Sequence, residues 1–154
     1  MKNKKNRFID LAFEEAKSSP HPTVKVGAVV VAADGKTILG KANNNFADHI
    51  KKKPERLQQG EKSLWIMCAE KRAIAEARKN LKKNKLKSLK GCQLYSTLSP
   101  CTTCADDIIL SEIKAVNIPY DDVDLYVKLK EKWRKSIIIG EIKLKEAGIS
   151  LKKI

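Results

Sequence analysis

Two short stretches carry residue types that could do chemistry together, Cys68-Ala69-Glu70 and Pro100-Cys101-Thr102-Thr103-Cys104. A structural zinc is closed by four protein ligands, usually as two close pairs, whereas a catalytic zinc keeps three and leaves the fourth position to water. The chain has a single Cys-x-x-Cys pair, so Cys68, Cys101 and Cys104 read as a three-thiolate Zn²⁺ centre with Glu70 beside it. Cys101 and Cys104, at i and i+3, project from one side of a helix that Ser99 caps and Pro100 opens. Cys68 falls near the start of the preceding helix, so the three sulfurs meet where two helix N-termini point. Partial positive charge there favours thiolates. Glu70 is two positions from Cys68 and cannot share its coordination direction, which leaves its carboxyl free to carry protons.

The chemistry that suits this set is hydrolytic removal of an amino group from an aromatic ring, with water activated by zinc attacking the ring carbon. Glu70 would take a proton from that water and carry it to the ring nitrogen and then to departing ammonia, a shuttle worth roughly 10²–10⁴ in rate. Three thiolates leave Zn²⁺ with one negative charge in excess, a weaker Lewis acid than a neutral His with two thiolates would give. Lys71 and Arg72, at i+3 and i+4 from Cys68, are positioned to offset this, and we expect one of them to donate to a zinc thiolate. The alternative is that both are solvated. Cys92 lies in a strand-like run without a close Cys partner, and a buried apolar thiol is the expected fate. His21 and His49, in loops, are not taken as ligands.

The elements that must hold these residues follow from periodicity. Apolar positions Phe8, Leu11, Ala12, Phe13 and Ala16 recur at helical spacing, predicting a helix that ends before Pro20. The Val-rich run 24–33, with Gly27 inside it, and residues 36–40 flank Asp34-Gly35, a hairpin signal. Residues 43–63 read as a long polar loop. Residues 64–79 read as one helix with a small-residue stripe at Ala69, Ala73 and Ala77, and 81–90 as a basic connector. Strand character at 92–97 and 113–118, a last helix over 133–147 ended by Gly148, and an edge strand at 149–154 complete the chain. This alternation predicts an α/β fold with a mixed sheet between helix layers, in one domain spanning residues 1–154.

Composition sets the bounds. With 154 residues, 42% apolar and 32% charged, the chain suits one soluble domain with a core of its own. No apolar run approaches the ~18 residues a membrane helix needs, and the basic start through Arg7 does not read as a signal peptide. Thiols without export signals are better explained by metal than by disulfides, which makes the expected location cytoplasmic. The formal net charge of +14 invites a nucleic-acid reading, but the basic residues are mostly Lys and scattered. Charge of this kind speaks to solubility and non-specific attraction before function.

The sequence resembles the cytidine and deoxycytidylate deaminase superfamily, and most closely its deoxycytidylate (dCMP) deaminase-like branch. The similarity covers nearly the whole chain: Val26-Gly27-Ala28-Val29-Val30, Asn43-Asn44-Asn45-Phe46, Pro54-Glu55-Arg56-Leu57, Cys68-Ala69-Glu70 with Ala73-Ile74, Thr97-Leu98-Ser99-Pro100-Cys101-Thr102-Thr103-Cys104-Ala105, and Trp133-Arg134 with Ser136 and Glu146-Ala147-Gly148. The resemblance implies a three-layer α/β/α sandwich with a five-stranded mixed sheet, Glu70 as proton shuttle, and a homo-oligomer. It implies a ring-binding Asn at Asn44, with Asn43 as the alternative. A backbone amide near Cys101 and the Ser99 carbonyl would address the pyrimidine, and Ala69 is counted among the substrate contacts. Ser99 before Pro100 looks more like nucleotide deaminases than tRNA adenosine deaminases, which usually carry Glu there. The dCMP branch normally has His where this chain has Cys68, a departure that bears on substrate more than on reaction.

The leading expectation is a deaminase of a small-molecule cytosine nucleotide or nucleoside, dCMP to dUMP above the others. Lys51, Lys52, Lys53 and Arg56 are its candidate phosphate contacts, the arginine by a bidentate grip. Two alternatives stand beside it. One is a deaminase of a base in nucleic acid, disfavoured by an aromatic content of only 5%. The other is a non-catalytic zinc fold that binds nucleic acid through residues 81–90, for which Glu70 would be superfluous.

Overall fold

The computed structural model describes residues 6–120 and 126–154; the basic stretch 1–5 lies outside them. Helix α1 (Arg7–Ala16) starts where the Asn6 side chain accepts from the Phe8 and Ile9 N–H groups at 2.9 and 3.2 Å. Its apolar face, Phe8, Ile9 and Ala12, packs on Val29, Val31 and Tyr95. Strand β1 (Gly27–Val31) alternates across the sheet, sending Ala28 and Val30 to the opposite core. Gly27 breaks the valine run for a steric reason, since a Cβ there would stand 1.8 Å from the Ala12 carbonyl oxygen.

The hairpin from β1 to β2 (Ile38–Asn43) turns at Asp34-Gly35 as expected. The Asp34 carboxylate accepts from the Lys36 and Thr37 N–H groups and from the Thr37 hydroxyl, at 2.6–2.9 Å. Gly35 takes the left-handed conformation at φ +73°. On its other side β1 pairs antiparallel with β5 (Gln93–Ser96), which pairs parallel with β6 (Ala115–Ile118), and β6 with β7 (Ser150–Lys153). The result is a five-stranded mixed sheet ordered β2-β1-β5-β6-β7, with β7 at an edge.

The region expected to be one helix over 64–79 is three elements. Helix α2 (Lys62–Trp65) is a single turn, and β4 (Ile66–Met67) pairs with β3 (Asn45–Phe46) before α3 (Ala69–Lys79) begins. The ladder to β3 competes for the backbone at Ile66 and Met67, and Leu64, which helical spacing would bury, is 77% exposed. The loop 43–63 is correspondingly less irregular than it reads, holding β3 and a 3₁₀ turn at Pro54–Leu57. The stripe Ala69, Ala73 and Ala77 is fully buried and lies against β2 at Gly40, where a Cβ would approach the Ala73 carbonyl oxygen to 2.5 Å and the Ala77 nitrogen to 2.6 Å.

Helices α4 (Thr102–Leu110) and α5 (Glu131–Glu146) share this face, burying Ile108, Ile137 and Leu144 in the larger core. Lys71 pairs with Asp107 at 3.7 Å between α3 and α4, and Lys143 with Asp106 at 3.0 Å between α5 and α4. The sheet lies between α1 on one side and α3, α4 and α5 on the other, a three-layer α/β/α arrangement.

Candidate metal centre and its cavity

The two helices that carry the cysteines both start at one. Cys68 is the N-cap of α3 and Cys101 the N-cap of α4, each in extended backbone (φ −61°, ψ 145° and φ −73°, ψ 172°) and neither capping its own helix through its side chain. Residues at this position ordinarily turn a side-chain oxygen back on the first-turn N–H groups. Here the sulfurs face each other instead, Cys68 Sγ and Cys101 Sγ at 3.9 Å, with Thr103 Oγ1 3.4 Å from Cys101 Sγ. Cys104, in the first turn of α4, completes a set whose three sulfurs all lie within 4.8 Å of one another.

That donor set fits zinc. Zn–S bonds of about 2.3 Å in tetrahedral array put sulfurs about 3.8 Å apart, close to the Cys68–Cys101 spacing. Among the three thiols Cys101 is held lowest, by hydrogen bonds from Cys104 and Cys68. Cys104 is pushed up by its hydrogen bond to Cys101 and by burial. Cys92 stands apart, 1% exposed in the apolar core, where burial raises its thiol.

Glu70, in the first turn of α3, is 5% exposed and faces the same cavity as Cys68 and Cys101. Burial, and then the charge of Cys101, push its carboxyl up to about 8; a dication held by the sulfurs acts in the opposite sense. The cavity holds about 700 Å³, and its walls include Val24, Val26, Asn44, Ala69, Leu98, Ser99, Trp133 and Ile137. This is the usual size of a small-molecule site.

Of the two candidate asparagines the cavity takes Asn44. Its side chain accepts from the Val26 N–H at 2.9 Å and donates to the Val24 carbonyl at 2.8 Å, and each amide atom keeps one further hydrogen-bonding position. Asn43 is turned elsewhere, donating to the Glu15 carbonyl and accepting from Asn45 and Arg72.

Two expectations are corrected. Neither Lys71 nor Arg72 donates to a thiolate among the described residues: Lys71 reaches Asp107, and Arg72 donates to the Asn43 carbonyl at 2.7 Å with Asp48 at 3.9 Å. The N-termini of α3 and α4 and the Thr103 hydroxyl stand beside the sulfurs. Arg56 is likewise not at the cavity, since its guanidinium stacks over Trp65 at 3.9 Å and donates to the Lys51 carbonyl.

Four lysines that no motif singled out stand at the cavity, Lys62, Lys128, Lys130 and Lys132. His21 joins them, its Nδ1 accepting from the Val24 and Thr23 N–H groups at 2.8 and 3.2 Å. The alternation of Lys at 128, 130 and 132, running into the first turn of α5, is the local signal for them in the sequence.

The cytidine and deoxycytidylate deaminase zinc-binding region matches residues 2–119. The chain belongs to the cytidine and deoxycytidylate deaminase family. Within that family it is 30% identical to a probable deoxycytidylate deaminase of Caenorhabditis elegans over 73% of this chain and 55% of that protein. It is 35% identical to a tRNA-specific adenosine deaminase of Aquifex aeolicus over 73% of this chain and 63% of that one. The chain thus spans little more than half the length of these relatives. The dCMP deaminase of cyanophage S-TIM5, solved in complex with dCMP and dUMP, shares the fold with a TM-score of 0.67 at 20% identity, covering 96% of this chain and 93% of that one. The five-stranded deaminase fold and a zinc-binding cysteine cluster are therefore properties of this chain.

Proposed function

We propose that the chain deaminates a cytosine nucleotide hydrolytically, with dCMP to dUMP as the reaction its site supports best. The observation that carries this reading is the buried carboxyl of Glu70 in one cavity with two of the three clustered cysteines. Cys68, Cys101 and Cys104 would hold a zinc ion, which when bound would supply a Lewis acid able to lower the pKa of water toward neutrality. Glu70 would take one proton from the attacking water and give it to the ring nitrogen, then take a second from the added hydroxyl and give it to the amine that leaves as ammonia. Asn44 and the Ser99 backbone orient the ring, while Leu98, Val26 and Ile137 keep bulk water from it. Lys62, Lys128, Lys130 and Lys132 supply point charges for a 5′-phosphate. A base within RNA is the second reading, favoured by the net charge of +14 and by the likeness to a tRNA-specific deaminase.

Ammonia release from dCMP, deoxycytidine, cytidine and an adenosine-bearing tRNA hairpin separates these readings. Wild type should turn over dCMP in clear preference to deoxycytidine. Glu70→Gln should lose roughly 10²–10⁴ in kcat while keeping its zinc. Equal turnover of dCMP and deoxycytidine would remove the phosphate from the reading, and release from the hairpin alone would favour the second one.

A further inference from the structure

We propose that the middle of α5 is a clamp on the metal loop, with Ser136 and Glu141 as positioning residues for Cys101 and Ser99. Because the Cys101 sulfur faces the other thiols, it does not cap α4 with its side chain, and the first N–H groups of that helix need a partner from elsewhere. Ser136 supplies one across the fold, its Oγ accepting from the Thr102 N–H at 3.1 Å. At the other end of the loop the Ser99 hydroxyl, in a residue 4% exposed, donates to Glu141 Oε1 at 3.0 Å. Between them Gly140 lets the backbones touch: a Cβ there would stand 2.6 Å from the Pro100 carbonyl oxygen and 3.0 Å from the Cys101 carbonyl carbon.

Residues 99–102 are therefore fixed at both ends and pressed in the middle by one stretch of α5, some forty positions later in the chain. Among the described residues Cys68 has no such brace from α5; its helix is set by the alanine stripe on β2. The Cys101 sulfur and the Ser99 backbone thus depend for their place on a helix that contributes no metal ligand. Outer partners that orient metal ligands typically cost 10–100-fold in affinity or activity when removed.

The clamp rests on the zinc reading of the cluster, and its test reads the metal directly. Ser136→Ala, Glu141→Ala and Glu141→Gln are compared with wild type in the rate of zinc transfer to a chromogenic chelator and in the electronic spectrum of the cobalt-substituted protein, with thermal unfolding alongside. Both alanine variants should release zinc at least about tenfold faster and shift the cobalt–thiolate bands. Glu141→Gln, which keeps an acceptor for Ser99, should stay near wild type. Wild-type release and spectra in both alanine variants would overturn the clamp. So would a glutamine variant no better than alanine whose losses merely track its melting temperature. A wild-type protein that takes up neither zinc nor cobalt would overturn the zinc reading itself, and the clamp with it.

Discussion

A histidine whose ring nitrogen accepts two backbone N–H bonds is held neutral by them, since protonation replaces the acceptor with a donor. His21 is such a residue, and burial, then the charge of Lys62, lower its pKa from 6.5 to about 4. Between those values the unfolded chain binds a proton that the folded chain refuses, so this residue's stabilisation is complete above about pH 6.5 and is lost as pH falls toward 4. His21→Asn, which retains a side-chain acceptor but cannot titrate, should show a shallower fall in urea midpoint between pH 7 and 4.5 than wild type. Parallel falls in the two proteins would show that His21 does not contribute to the slope. At this scale the chain was legible where ligand spacing alone decides. Cys68, Glu70, Cys101 and Cys104 come together because two helix starts bring them, and the residue types left few other readings. For Lys71 and Arg72 proximity along a helix says nothing of Asp107 or of the Asn43 carbonyl, which compete for them from elsewhere.

Elements reach the site through close contact of small residues. Gly40→Ala would force a methyl group against the α3 backbone at 2.5–2.6 Å, and backbone cannot swing aside as a side chain can. Overpacking of this kind costs about 1–3 kcal/mol. A lowered urea midpoint should be accompanied by faster zinc loss, because α3 carries both Cys68 and Glu70. An unchanged midpoint would mean that sheet and helix separate at little cost. Periodicity revealed α1 and α5 because each buries one face against a neighbour, whereas the hairpin, whose β1 is buried on both faces, was marked by its Asp34-Gly35 turn. It failed over 64–79, where the pairing of β4 with β3 depends on a partner about twenty positions away that helical spacing does not encode. The same limit applies to the sheet, whose strands could be listed in order while their register could not.

For the molecule as a whole, the cysteine cluster ties α3 to α4 across 33 positions of chain. Metal bound to the folded state alone stabilises by about 2.7 kcal/mol at a hundredfold excess over Kd, less whatever the unfolded thiols retain. For a chain of this size that is roughly 5–10 °C in Tm. Removing zinc with a chelator should lower Tm within that range and loosen the amide hydrogens of the first turns of α3 and α4 before those of the central strands. Uniform exchange across the sheet would argue against it.

The free rim of the sheet has a consequence of another kind. Among the described residues β7 is bonded only to β6, so one side of its backbone is open to recruit a strand from a second molecule. Lys152 and Lys153, both exposed, stand on that rim. An incoming identical strand would bring the same two ammonium groups against them, and this mutual repulsion guards a crowded solution of the protein against zipping into fibrils.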